Sequence, residues 1–209
     1  PVPMLMALST HSEFPGRIIG LDMVRSSGTN SIAEYIDSYG NRISRTVAEA
    51  GRTAYWSDCV VEIEGLADTI PEFSPQHRIE NLPFQTLNFL TASRYCDSDQ
   101  LVDFAWNQFG HVPEGWARVK AISSFVHGYV TFGYKFGRAD KTALNVFQEK
   151  TGVCRDFAHL GLSLCRAMNI PARYCTGYLG DMGTEPPYGP MDFAGWFEAY
   201  LGDRWYTFD

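Results

Sequence analysis

Gly152-Val153-Cys154-Arg155-Asp156-Phe157-Ala158-His159-Leu160-Gly161-Leu162-Ser163-Leu164-Cys165-Arg166-Ala167-Met168-Asn169-Ile170-Pro171 is the stretch from which the architecture follows. Its apolar residues (Phe157, Leu160, Leu162, Leu164, Cys165, Ala167, Met168) surround nearly the whole circumference of a helical projection. A helix apolar on all sides is buried, so this one is expected to be the spine of a domain. It opens at Cys154 and runs to about Met168, where Asn169 and Pro171 stop it in the manner of a helix C-terminus.

Downstream the pattern changes to strands at Ala172–Tyr178, Phe193–Leu201 and Arg204–Phe208. Between the first two lies Gly180–Pro190, a Gly- and Pro-rich loop long enough to be functional. Gly202-Asp203 joins the last two as a two-residue turn with Gly at the first central position, which predicts type II′. Upstream the period is helical. Ser98 is placed to cap a helix bearing Leu101, Phe104, Ala105 and Phe109, closed by Gly110. Trp116, Val119, Ile122, Val126 and Tyr129 recur at three- and four-residue spacing as a second amphipathic helix. A shorter one covers Thr142–Lys150.

Residues 1–64 read as an N-terminal β module. Tyr35-Ile36 and Ile43–Val47 flank Asp37-Ser38-Tyr39-Gly40-Asn41, a hairpin turn, and Cys59, Val61 and Ile63 alternate with Val60, Glu62 and Glu64 as a half-buried strand. Residues 65–83, with Pro71, Pro75 and Pro83 and little periodicity, form the expected linker to a core at 84–209. The fold class is therefore α+β. The chain opens on Pro1 and closes on Asp209 inside an expected strand, so both ends read as cuts in a longer chain and the core as truncated at its C-terminal end.

Composition narrows the partners. Of 209 residues, 45% are apolar and 14% aromatic, and the net charge is −7. The first 90 residues carry 6 basic against 11 acidic groups and the rest 11 against 13, so neither half has the basic footprint of a nucleic-acid binder. No apolar run approaches the ~18 residues of a membrane span, so neither membrane nor nucleic acid is an expected partner. Five cysteines, an odd number without paired short spacings, fit reduced thiols and a cytoplasmic location. No metal-ligand spacing, phosphate loop or dinucleotide motif is present, and no cofactor is expected.

Cys154 is the residue with chemical promise. At a helix start, after a glycine, free backbone N–H groups and the positive end of the helix dipole favour a thiolate. The same N–H groups could hold an oxyanion formed by attack on a carbonyl. The bland reading, a small buried hydrophobe, suits Cys165 in mid-helix and Cys175 in mid-strand better. Arg155 and Asp156 read as capping and surface groups of a first helical turn. Glu198 reads as an ion-pair partner of Arg173 or Arg204, and Asp192 as a solvated residue. Tyr188, Phe193, Trp196, Tyr206 and Phe208 would line a peptide groove or, more usually for strand aromatics, a core.

The ordered blocks Gly152–Ala158, Cys165–Tyr174, Gly177-Tyr178, Trp196–Tyr200 and Trp205–Asp209 resemble the bacterial transglutaminase-like family. The resemblance covers about residues 95–209, and the β module is similar to the N-terminal domain often attached to bacterial members. It implies a papain-like core, a buried helix packed on an antiparallel sheet, in which a cysteine at a helix start faces a histidine and an aspartate on neighbouring strands. By position Cys154 matches the nucleophile and Asp209, in Trp-Tyr-Thr-Phe-Asp, the acid that orients the imidazole.

The histidine departs from the pattern. The family reads His-Ala-Trp where this chain reads Ala194-Gly195-Trp196, and alanine can neither take nor give a proton. A Gly202-Asp203 turn would set Trp196 opposite Asp209 and Ala194 diagonally beside it, roughly 7–8 Å away, so the vacancy falls at the functional position. His159 lies about 140° around the helix from Cys154 and points away from it. His127, near the end of an earlier helix, would approach only by an accident of packing, and His11, His77 and His111, in the β module, the linker and a loop, have no spacing relation to the cysteine. The resemblance offers one further source of a base: some members carry a histidine a few residues after the Phe-Asp pair, beyond Asp209. The sequence thus supports acyl transfer or amide hydrolysis on peptide or protein substrates through Cys154, cysteine-protease-like or transglutaminase-like. The alternative is a catalytically lapsed peptide-binding module.

Overall fold

The computed structural model describes residues 1–65, 70–178 and 193–209. The loop expected at Gly180–Pro190, with Tyr188, and Asp192 beyond it lie outside the described residues. The chain divides into two compact units, Pro1–Thr69 and Ile70–Asp209.

The first unit is built of short strands: β1 (Val2–Met6), β2 (Arg17–Ile19), β3 (Arg25–Ser26), β4 (Ala33–Ile36), β5 (Arg42–Ala48), β6 (Tyr55–Trp56) and β7 (Val60–Glu62). β5 lies between β1 and β4, antiparallel to both. The β4–β5 hairpin closes as the sequence predicts. The Asp37 carboxylate accepts from the N–H groups of Tyr39 (2.8 Å) and Asn41 (2.9 Å), and Gly40 supplies the positive φ the turn needs. The strand expected around Cys59–Glu64 forms as β7 but is not half-buried, since Val60 and Val61 are 61% and 44% exposed. It pairs with β2 alone, in a two-stranded ribbon, and alternation buries one face of a strand only where another layer covers it.

In the second unit Ser98 opens a single tighter turn, Ser98–Leu101, that leads into α1 (Val102–Phe109). No side chain caps this start. The cap residue nearby, Asp97, serves a different helix: its carboxylate accepts from the Leu144 N–H (2.9 Å) and the Thr142 hydroxyl (2.8 Å). The chain continues through α2 (Trp116–Tyr129), β8 (Thr131–Phe132), α3 (Ala143–Glu149), β9 (Thr151–Gly152) and α4 (Cys154–Ala167). It ends in the antiparallel sheet β10 (Ala172–Tyr178), β11 (Phe193–Leu201) and β12 (Arg204–Phe208), with β11 central. This mixture of helix and sheet is the expected α+β class. Residues of the expected linker are fastened to this unit: Ser74 O accepts from Trp116 N (3.0 Å), Pro75 O from Gly202 N (3.0 Å), and Gln76 donates to Met168 O (3.0 Å).

Helix α4 is the buried spine, with Leu160, Leu162, Leu164, Cys165 and Met168 after it entirely removed from solvent. Gly195, Phe197, Ala199 and Leu201 of β11 alternate inward toward it. The β11–β12 register runs from Leu201↔Arg204 to Phe197↔Phe208, as the two-residue turn requires. The turn itself differs from expectation: Gly202 and Asp203 both have positive φ (50° and 71°), the pattern of type I′ rather than II′. Aspartate tolerates the left-handed region, and the I′ twist suits the flanking strands. Among the described residues no helix is long and apolar enough to cross a membrane.

Helix α4 packs tightly on the sheet at Gly161, where an added Cβ would lie 2.6 Å from the Phe197 ring. Gly161→Ala is expected to destabilise the domain by about 1–3 kcal/mol through overpacking, although alanine is the better helix former by ~1 kcal/mol. A urea titration reads the sign; a raised midpoint would show that the ring can yield.

Candidate active site

The start of α4 is fixed by one buried carboxylate. Asp156 is fully buried, and its Oδ2 accepts from the Val153 N–H at 3.0 Å, satisfying a donor that the first helical turn leaves without a carbonyl. Its Oδ1 lies 3.3 Å from Arg155 Nη2, which also donates to Arg138 O at 2.6 Å. Asp156 is therefore a cap, as expected, but an interior one and not a surface group. A charge can be buried here because both oxygens are paired. Gly152 is a matter of space: a Cβ there would stand 2.6 Å from that of Asp156. Cys154 sits between these two residues, half-buried, as the first residue of the helix.

The approach to Cys154 is held by parallel pairing of β8 with β9, Thr131↔Thr151 and Phe132↔Gly152. Because β8 follows α2 directly, this short ladder brings the last turn of α2 to the mouth of α4. Between them opens a cleft of about 320 Å³. Cys154, Asp209, Ser123, His127 and Trp196 are the residues with polar side chains on its lining, and the Ser123 hydroxyl donates to the Asp209 backbone oxygen at 3.4 Å. Cys154 and Asp209 thus face one space.

His127 also lines it, and nothing in its spacing from Cys154 points there. The available signal lay in α2 itself. Ser123, Val126 and Val130 stand on the same side of that helix as His127, and Thr131-Phe132 immediately after it is the only link needed to Thr151-Gly152. Ala194 pairs with Gly177 across the β10–β11 ladder and is absent from the cleft lining. One further step along the β11–β12 register sets Trp196 opposite Asp209, which leaves Ala194 diagonal to it as the sequence geometry requires.

Three of the other four histidines have partners elsewhere. His159 is 5% exposed, its ring parallel to Tyr95 (centroids 5.4 Å apart) and 4.9 Å from Tyr174. Burial, with the Arg155 charge adding to it, pulls its pKa down to about 4. His77 accepts from the Asp203 N–H at 3.1 Å, and His11 lies 2.9 Å from Tyr39 O in the first unit. Glu198 pairs with Arg173 at 2.6 Å, one of its two expected partners, while Arg204 lies over the Tyr206 ring. Burial raises the pKa of Cys165 and pushes that of Cys175 up to about 12, in keeping with packed thiols.

Comparison with known proteins agrees with this architecture. The model of the transglutaminase-like superfamily matches residues 103–209. The crystal structure of a candidate cysteine protease from Cytophaga hutchinsonii is similar over all of this chain and 71% of its own, at 32% identity and a TM-score of 0.76. The periplasmic domain of TgpA from Pseudomonas aeruginosa, 18% identical over 99% of this chain and 70% of its own, has the same fold at a TM-score of 0.51. An uncharacterized Mycobacterium leprae protein, ML0607, is 37% identical over 67 residues, 31% of this chain and 24% of that relative's length. The chain belongs to the transglutaminase-like superfamily.

Two outcomes follow for the buried and open side chains. His159 binds its proton less tightly folded, at about 4, than unfolded, near 6.5. Stability is therefore complete above pH 6.5 and falls as the pH drops toward 4, by about 2 kcal/mol at pH 5. His159→Phe should flatten that part of a urea-midpoint profile, and an unchanged slope would assign it to other groups. Iodoacetamide at neutral pH should label Cys154 ahead of buried Cys96 and Cys165 and of half-buried Cys175, whose pKa is raised by burial, read by peptide mass mapping. Prior labelling of Cys165 would contradict the packing.

Proposed function

We propose that this protein is a cysteine-dependent acyl-transfer enzyme acting on peptide or protein substrates, with Cys154 as nucleophile. The observation that carries the reading is the convergence of Cys154, His127 and Asp209 on one cleft at the start of a buried helix. The Cys154 proton passes to the His127 imidazole, and the sulfur attacks the substrate carbonyl. The resulting oxyanion lies near the helix-start N–H groups, where such donors are worth most. Collapse expels the amine, which takes the proton back, and leaves a thioester that water or a second amine discharges. Asp209 is placed to orient and charge-balance the imidazole. All five cysteines are free, which supports a reducing compartment such as the cytoplasm.

A second reading, a binding module that has lost its chemistry, is favoured by Ala194. The two separate by turnover. With a peptidyl aminocoumarin amide, Cys154→Ala should abolish release, and His127→Gln should lower kcat/KM by about 10²–10⁴. Ala194→His should raise activity, since a histidine there stands diagonal to Asp209 and faces Gly177, with the Trp196 ring beside it. A wild-type protein that binds peptide but releases no product, with Ala194→His restoring release, would establish the lapsed module.

A further inference from the structure

We propose that the cleft beside Cys154 is a side-chain pocket selecting acyl donors with an apolar aliphatic or aromatic group next to the reacting carbonyl. The inference rests on the reading of Cys154 as nucleophile only in calling the occupant an acyl donor.

The walls carry it. Val126 and Val130 from α2, Phe157 from α4, Phe197 from β11 and Phe208 from β12 enclose the space, with Phe132 at its outer edge. Val126, Val130, Phe197 and Phe208 are each no more than 7% exposed, so these surfaces belong to the packed core and are pre-formed. Phe132, by contrast, is 52% exposed and leans toward Phe157, ring centroids 6.3 Å apart. It forms a rim that a bound apolar group would cover.

Besides the groups of the proposed chemistry, the polar groups on the lining are the Ser123 hydroxyl, engaged with the Asp209 backbone oxygen, and the Trp196 indole, a single N–H donor, so a polar side chain finds few partners there. A carbonyl held at the Cys154 sulfur has its substituent directed among these walls. A hydrocarbon or phenyl group gains contact there at no cost. A carboxamide or charged group loses water and finds few partners, and burying such a group unpaired is unfavourable. The volume, about 320 Å³, is at the small end of ligand sites and suits a single side chain.

Affinity labelling of the intact chain tests the pocket without requiring turnover. Cys154 is alkylated with iodoacetamide, its N-phenethyl derivative and its N-(2-carbamoylethyl) derivative, each rate divided by that of glutathione. The phenethyl reagent should gain about tenfold, equivalent to 1.4 kcal/mol, over both others. Ala158→Leu, whose side chain would extend into the cleft, should reduce that gain, measured relative to the same variant's iodoacetamide rate, to below about threefold. Phe132→Ser, at an exposed site where folding is not at stake, should reduce it in the same direction. Equal normalised rates, or a preference for the carbamoylethyl reagent, would overturn the pocket. Labelling depends on a thiol and walls alone, so a protein that turns nothing over still reports the preference. A protein that turns over substrate without the preference refutes the pocket alone.

Discussion

The arrangement depends on a carboxylate with no access to water. Asp156 is tied back to Val153 and sideways to Arg155, and the only backbone that can pass beside it is that of a glycine, Gly152. Arg155 is itself about a third exposed, so the cost falls on Asp156: removing its partners would leave a buried acceptor unsatisfied, about 1–3 kcal/mol or more for a charged group. That penalty makes the geometry of the first turn of α4 stiff. Cys154 stands inside this clasp, so the sulfur inherits a fixed position at the helix mouth without any side chain holding it directly.

The clasp also reaches outward. Arg155 donates to Arg138 O, and the β8–β9 ladder ties the residues before Cys154 to the end of α2. A two-residue ladder has no periodicity to read, and this is why the placement of His127 was invisible in the sequence. The same reason hid the burial of Asp156: local spacing identifies a cap, but whether the cap is wet depends on which distant segment closes over it.

Elements whose identity is set by a full pattern of burial were legible. α4 declared itself by apolar residues on all sides, α2 by its three- and four-residue spacing, and β10, β11 and β12 by strand runs whose ends coincide with a helix stop or a two-residue turn. Failures occurred where a second layer or a backbone choice decides. β7 has the alternation of a half-buried strand and no layer to bury it. The Gly202-Asp203 turn has a sequence compatible with two mirror-image types, and Asp203 accepts positive φ, so I′ is formed. Cys154 and Asp209 were matched as a pair through the resemblance of the ordered blocks, while register arithmetic across β11 and β12, exact to one residue because a slip flips a side chain to the other face, placed only Trp196 and Ala194 relative to Asp209.

The same arithmetic separates the fold from the base. Residues 194 and 195 point to opposite faces of β11. The face that meets α4 belongs to Gly195, where a Cβ would lie 2.7 Å from the Tyr174 hydroxyl and 3.3 Å from Arg155 Cα. A Cβ there would require the Tyr174 hydroxyl to move and the first turn of α4 to give by a few tenths of an ångström, so residue 195 must stay small for the sheet to hold that turn in place. Ala194 faces the other way, opposite Gly177, and carries no part of that contact. A histidine at 194 can therefore be lost without loosening the helix, the clasp or the cleft. Retention of the architecture says nothing about retention of catalysis, because the residues that build one are not those that supply the other. The chemistry is decided by which proton-carrying group reaches the cleft, and in this chain the group on its lining is His127.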